Sequence, residues 1–126
     1  MNGDLSRKII DAAVEVHHLL GGPGLLESVY ESALCHELGL RGLESKRQMP
    51  IPVLYKNVPV REPLFLDILV ENRVIIEVKA NGIDYPYYQV QLSTYMRLTG
   101  KKSGLLINFG KVNIHDGIRS VESAVK

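Results

Sequence analysis

The sequence predicts an α/β fold, a mixed sheet with helices packed on it, from three observations. Two segments with apolar residues at helical spacing open the chain. Two short apolar runs, Leu64–Val70 and Val74–Lys79, flank a gap with room only for a turn, and so read as a β-hairpin. A helical segment then leads to residues 104–109, a nearly continuous apolar run that fits a strand buried on both faces. A helix between two strands implies a crossover and a parallel pairing.

The first helix covers about residues 4–20, with Leu5, Ile9, Ala12, Ala13, Val16 and Leu20 on one stripe and Asp4 or Ser6 as candidate caps. Gly21-Gly22-Pro23-Gly24 stops it. The second covers about residues 25–38, with Leu26, Val29, Tyr30, Ala33, Leu34 and Leu38 as its buried stripe, and Gly39 or Gly42 ends it. Residues 44–55 alternate like a strand, and Pro50 and Pro52 confine that strand to a sheet edge because proline cannot donate to a ladder. Lys56-Asn57 is a turn. The hairpin follows, then a loop over residues 81–86 and a helix over residues 87–99 that Gly100 terminates. A short final strand or helix lies within residues 112–121.

The 126 residues suffice for one domain spanning the whole chain. An apolar fraction of 45% with 23% charged residues excludes a disordered chain. No apolar run approaches the ~20 residues of a membrane span. The first residues lack the apolar core of a signal peptide, and Cys35 is the only cysteine, so a reducing cytoplasm is expected. The net charge of +1 argues against a strongly basic nucleic-acid surface. Nucleic-acid binding would rest on local clusters: Lys46, Arg47, Lys56 and Arg61, and then Lys101, Lys102 and Lys111. Each cluster taken alone is equally well read as solvated surface charge.

The hairpin carries charge in its interior, where strands normally pack. Side chains alternate along a strand, so Glu77 and Lys79 share a face. If the loop is Glu71-Asn72-Arg73, an odd length, Val70 opposes Val74 and Asp67 opposes Glu77. An even loop puts the two acids on opposite faces, and the loop residues do not decide between them. Opposed like charges at ~5 Å destabilise a sheet. A divalent cation between the acids would relieve that. Mg²⁺ takes oxygen ligands, often only one or two carboxylates with water and substrate phosphate. A neighbouring lysine can stabilise charge on phosphate or orient the attacking water. Asp67, Glu77 and Lys79 are thus a minimal kit for metal-assisted phosphodiester hydrolysis. The plain alternative is a surface Glu-Lys pair and an edge-facing Asp.

Gly24-Leu25-Leu26-Glu27-Ser28-Val29-Tyr30 matches a G-x-x-E-x-x-Y signature, and with it the chain resembles the GxxExxY family of the PD-(D/E)xK nuclease superfamily. The resemblance extends over the Asp67 strand, Glu77-Val78-Lys79, Gln91-Leu92-Ser93-Thr94-Tyr95 and residues 104–110. It implies a restriction-endonuclease-like core of a helix, three antiparallel strands, a helix and a further strand. It also implies that Asp67 and Glu77 bind Mg²⁺ or Mn²⁺, that Lys79 is the catalytic lysine, that Glu27 is an extra metal-binding acid on an early helix, and that Gln91 is a polar site residue on the helix after the lysine strand. Leu66 departs from the proline that names the superfamily. That position binds no metal.

Read from the residues alone, Glu27 is better taken as a first-turn acid favoured by the helix dipole, and Tyr30 one turn later either steadies it or packs. Gln91 and Tyr95 share one helix face. Tyr85, Tyr87 and Tyr88 read as a cover for the end of the core, although exposed aromatics also stack on unpaired bases. His17, His18, His36 and His115 lack zinc-like spacing. The expected function is metal-dependent hydrolysis of DNA or RNA, and the alternative is a catalytically silent nucleic-acid-binding or protein-interaction module that keeps the fold. A chain this small offers little surface for a duplex, which points to a homodimer.

Overall fold

Residues 2–123 are described by a computed structural model. Helices α1 (Gly3–Leu19) and α2 (Glu27–Leu40) precede strand β1 (Ser45–Ile51), a small ribbon of β2 (Leu54–Tyr55) and β3 (Val58–Pro59), and strands β4 (Leu64–Val70) and β5 (Val74–Lys79). Helix α3 (Pro86–Thr99), β6 (Ser103–Asn108), a 3₁₀ turn (Ile114–Gly117) and β7 (Ile118–Glu122) complete the chain. The main sheet has the order β1-β4-β5-β6-β7, with β5 and β6 parallel and every other pair antiparallel. This is the α/β arrangement that the sequence predicts, a restriction-endonuclease-like core of five strands flanked by three helices.

The sheet separates two apolar layers. Ile68, Val70, Val74, Ile76, Val78, Leu105 and Ile107 pack under α1 and α2. Leu66, Leu69, Ile75 and Leu106 pack under Leu92, Tyr95 and Met96 of α3. All six residues of β6 are buried, as a central parallel strand requires. The proline-bearing β1 lies at an edge. Gly100 ends α3 in the left-handed conformation at φ 72°.

Five expectations change. Leu20, expected on the buried stripe of the first helix, falls at its C-cap and is exposed. Neither Asp4 nor Ser6 caps α1: the helix starts one residue before Asp4, Asn2 occupies the cap position, and the Asn2 side chain instead donates to Ser103 Oγ at 2.9 Å. Leu26 and Val29 are exposed, because α2 begins only at Glu27 and turns Tyr30, Glu31, Leu34 and Leu38 inward. The strand expected over residues 44–55 stops at Ile51, and the Lys56-Asn57 turn closes a separate ribbon with φ of 49° and 66° at its tip. Tyr85 and Tyr87 are exposed rather than covering the core; only Tyr88 packs against the α3 layer.

Candidate active site

Glu71 and Asn72 adopt φ of 53° and 55°, and the Arg73 amide closes the turn on the Val70 carbonyl at 2.9 Å. This odd-length connection pairs Val70 with Val74. The ladder continues through Leu69 with Ile75 and Ile68 with Ile76, and places Asp67 in line with Glu77. There the main-chain pairing is replaced. The Asp67 amide donates to Glu77 Oε2 at 2.9 Å, and the Val78 amide donates to Asp67 Oδ2 at 2.8 Å. Each carboxylate substitutes for a carbonyl of the facing strand, so β4 and β5 fork. Beyond the fork, β4 remains paired to β1, and β5 pairs Glu77, Val78 and Lys79 with Leu106, Ile107 and Asn108 of β6.

Strand alternation fails at the same place. Leu66 packs in the α3 layer while Ile68, two residues on, packs under α1 and α2. Gln48 falls between the Arg47–Ile68 and Met49–Leu66 pairs, opposite Asp67, and has φ 52°, an uncommon conformation for a side-chain-bearing residue. Distortion of this kind re-aims side chains beside functional sites.

The acids are electrostatically crowded. Glu77 is 4% exposed. Burial first, and Asp67 next, push its carboxyl up to about 8, against the Asp67 amide bond and Lys79, while Glu31 adds to the rise. Asp67 is also raised, by burial above all and further by Glu31, against the Val78 amide, Lys79 and Gln48. Glu27 stands in the first turn of α2, exposed at the rim. Partial desolvation raises its carboxyl, Lys79 opposes that, and Asp67 and Glu31 reinforce it. The N-terminal turn of α2 therefore reaches the same charge cluster as the fork.

Lys79 lies on the α3 side of β5. Its Nζ donates to Gln91 Oε1 at 3.5 Å and sits 4.6 Å from the centroid of the Tyr88 ring. Gln91 Nε2 donates to the Tyr95 hydroxyl at 3.2 Å. Burial and then the charge of Glu77 raise the Tyr95 phenol, which ties that ring to the same site. Lys79 makes no ion pair among the described residues.

Tyr30 explains the rest of the helix signature. It is fully buried and stacks on Phe109 with centroids 4.7 Å apart. Its hydroxyl donates to the Gly22 carbonyl at 2.8 Å and accepts from the Leu25 amide at 3.1 Å. It thus fixes the glycine-rich loop that delivers Glu27; it does not bond Glu27 directly. Among the described residues the histidines form no cluster: His17 Nε2 instead bonds the Lys111 carbonyl at 2.8 Å.

Sequence reasoning misses Glu31 and Gln48, and reads Arg47 only as part of a basic cluster and Tyr88 only as core cover or a stacking aromatic. Glu31 is 6% exposed, and its Oε1 accepts from Gln48 Nε2 at 2.9 Å and from Arg47 Nε at 3.2 Å. Gln48 Nε2 also reaches Asp67 Oδ1 at 3.5 Å. The spacing of Glu31 four residues after Glu27 was a usable signal, since such residues share a helix face. Nothing in the sequence marks Gln48.

Asp67 and Glu31 each raise the carboxyls of both Glu27 and Glu77, Lys79 opposes both rises, and Arg47 pairs with Glu31. Excess negative charge in a partly buried site favours a bound cation. Among the described residues no three His, Cys, Asp or Glu side chains form a metal cage. Two hard oxygen donors suit Mg²⁺ or Mn²⁺, which are often held by one or two carboxylates, and do not suit a four-ligand zinc site.

No helix among the described residues is long and apolar enough to cross a membrane. No curated protein and no solved structure matches the chain. The sequence profile of the PD-(D/E)XK nuclease superfamily matches residues 3–121, from the start of α1 into β7, and the chain belongs to that superfamily.

Proposed function

We propose that the protein is a Mg²⁺- or Mn²⁺-dependent phosphodiester hydrolase acting on DNA or RNA, of the GxxExxY type within its superfamily. The observation that carries this reading is the fork, where Asp67 and Glu77 each accept a main-chain amide and face one another with Lys79 beside them. Asp67 and Glu77 would hold the cation, and Glu27 on α2 would be the additional acid. When bound, the cation neutralises phosphate charge and makes a water nucleophilic near neutral pH. The amides of Asp67 and Val78 lock both carboxylates in place. Lys79 stabilises negative charge developing on the phosphate oxygens or orients the attacking water. Gln91 positions the ammonium, with Tyr95 holding Gln91. Hydrolysis breaks one P–O bond, with water supplying the hydroxyl to phosphorus and a proton to the leaving oxygen. A homodimer supplies the surface that one small chain lacks; sedimentation as a monomer at high concentration would contradict that element.

The test is incubation of single-stranded, duplex and branched DNA and RNA with Mg²⁺ or Mn²⁺. Cleavage lost in Lys79→Ala supports the proposal. Absence of cleavage on all substrates, or equal cleavage by that variant, overturns it. One observation favours a catalytically silent binding module that keeps the fold: a net charge of only +1 offers little attraction for a polyanionic substrate. Failure to bind any divalent cation at millimolar concentration would select that second reading.

A further inference from the structure

We propose that a pocket beside Lys79 receives one unpaired nucleobase of the strand whose phosphodiester lies at the fork, so that the substrate is single-stranded or locally unpaired nucleic acid. This inference rests on the proposed function and specifies its substrate. The pocket has a volume of about 140 Å³, and its walls include Ile83, Tyr85, Pro86, Tyr88, Asn108 and Arg119. It adjoins the reactive end of the sheet, because Asn108 is the residue paired with Lys79 across the parallel ladder. Tyr88 is the shared wall: it lines the pocket and its ring also carries the Lys79 ammonium.

Size and chemistry select the occupant. Small-molecule sites usually occupy ~300–1,000 Å³, so this pocket holds one planar ring rather than a whole ligand. Tyr85 and Tyr88 meet edge to face at 5.2 Å and 89°, and Tyr85 remains 50% exposed, leaving aromatic surface for stacking. The floor is rigid. Asn108 Oδ1 accepts from the Gly82 and Gly110 amides at 3.1 and 3.0 Å, and Nδ2 donates to the Ile83 carbonyl at 3.1 Å. Asn108 is thereby fully engaged, and recognition falls to the aromatic faces, which accept any base.

Charge agrees. Asp84 at the pocket is neutralised by Lys111 at 2.9 Å. Arg119 is anchored by Nη1 donating to the Asp116 and Ile118 carbonyls, and supplies a fixed cation for the phosphate chain. A net charge of only +1 limits what phosphate contacts alone can provide. Base stacking is the sequence-tolerant term that remains, and a base within a duplex cannot enter without leaving its stack.

The test is fluorescence anisotropy of labelled single-stranded DNA, single-stranded RNA and blunt duplex in Ca²⁺, scoring intact oligonucleotide only. We expect both single strands to bind more tightly than duplex, and Tyr85→Ala to weaken them roughly tenfold, while Tyr85→Trp retains binding. One abasic position in the oligonucleotide should reproduce that loss with the wild-type protein and add little to Tyr85→Ala. Equal binding of duplex, or no abasic position that matters, overturns the pocket assignment. The two proposals fail separately. Metal-dependent cleavage of duplex with no Tyr85 effect removes the base site and leaves the nuclease. Tyr85-dependent binding of single strands without cleavage under any metal does the reverse.

Discussion

Glu77 gives the most quantitative prediction. Its carboxyl moves from 4.5 to about 8 on folding, driven first by burial and then by Asp67. The native protein without metal therefore keeps a proton that the unfolded chain releases above about 4.5. Stability is greatest below that value and is lost as pH rises toward and through about 8. At ~1.4 kcal/mol per pH unit, the interval from 4.5 to about 8 sets a ceiling of ~5 kcal/mol. Coupling to Asp67, which shifts the same way, makes a few kcal/mol the realistic loss. Glu27 adds in the same direction. Cys35, raised from 9.0 by burial, titrates above this window, and Asp84, lowered from 3.8 by Lys111, titrates below it. Thermal melts in EDTA at pH 5.5, 7 and 8.5 should show Tm falling by roughly 10 °C, since 1 kcal/mol moves a domain of this size by ~3–5 °C. Glu77→Gln should flatten most of that slope. Mg²⁺ or Mn²⁺ at 100 times its Kd should restore ~2.7 kcal/mol at high pH. A wild-type Tm that rises over this range in EDTA, or a slope unchanged in Glu77→Gln, refutes the reasoning.

Three further outcomes are expected. Lys79→Ala should lower the cleavage rate by ~10²–10³-fold with a melting temperature near wild type, read from initial rates and a thermal scan. Glu31→Gln should weaken Mn²⁺ binding or activity by ~10–100-fold, because Glu31 steers Asp67 through Gln48, and calorimetric titration of the metal checks it. Gly110→Ala should cost more than ~2 kcal/mol, measured by urea unfolding: a Cβ there would lie 2.7 Å from the Ala80 carbonyl and closer still to the Gly82 nitrogen, in the turn that follows Lys79.

The fold was readable because its strongest signals are periodic. The two-faced burial of β6, the αL stop at Gly100 and the edge proline of β1 each follow from local chemistry. The pairing of Asp67 with Glu77 hung on loop parity, and two positive-φ residues fixed it without a glycine, beyond what turn propensity alone could decide. The start of α2 was misjudged because Leu25 and Leu26 look like helix stripe, whereas the chain spends them on the loop that Tyr30 closes. Glu31 was legible as one turn beyond Glu27. Gln48 was not, since its role comes with a backbone distortion at a gap in the β1–β4 pairing. The three tyrosines before and within α3 read as core cover because aromatic residues usually are, but two of them face outward.

Crystals soaked in Mn²⁺ and measured at the manganese absorption edge test the fork itself. We expect an anomalous peak between Asp67 and Glu77, bonded to oxygens of both at about 2.0–2.3 Å, with Lys79 adjacent. No peak at millimolar Mn²⁺, or a peak bonded to neither acid, would contradict a divalent-cation site between these strands.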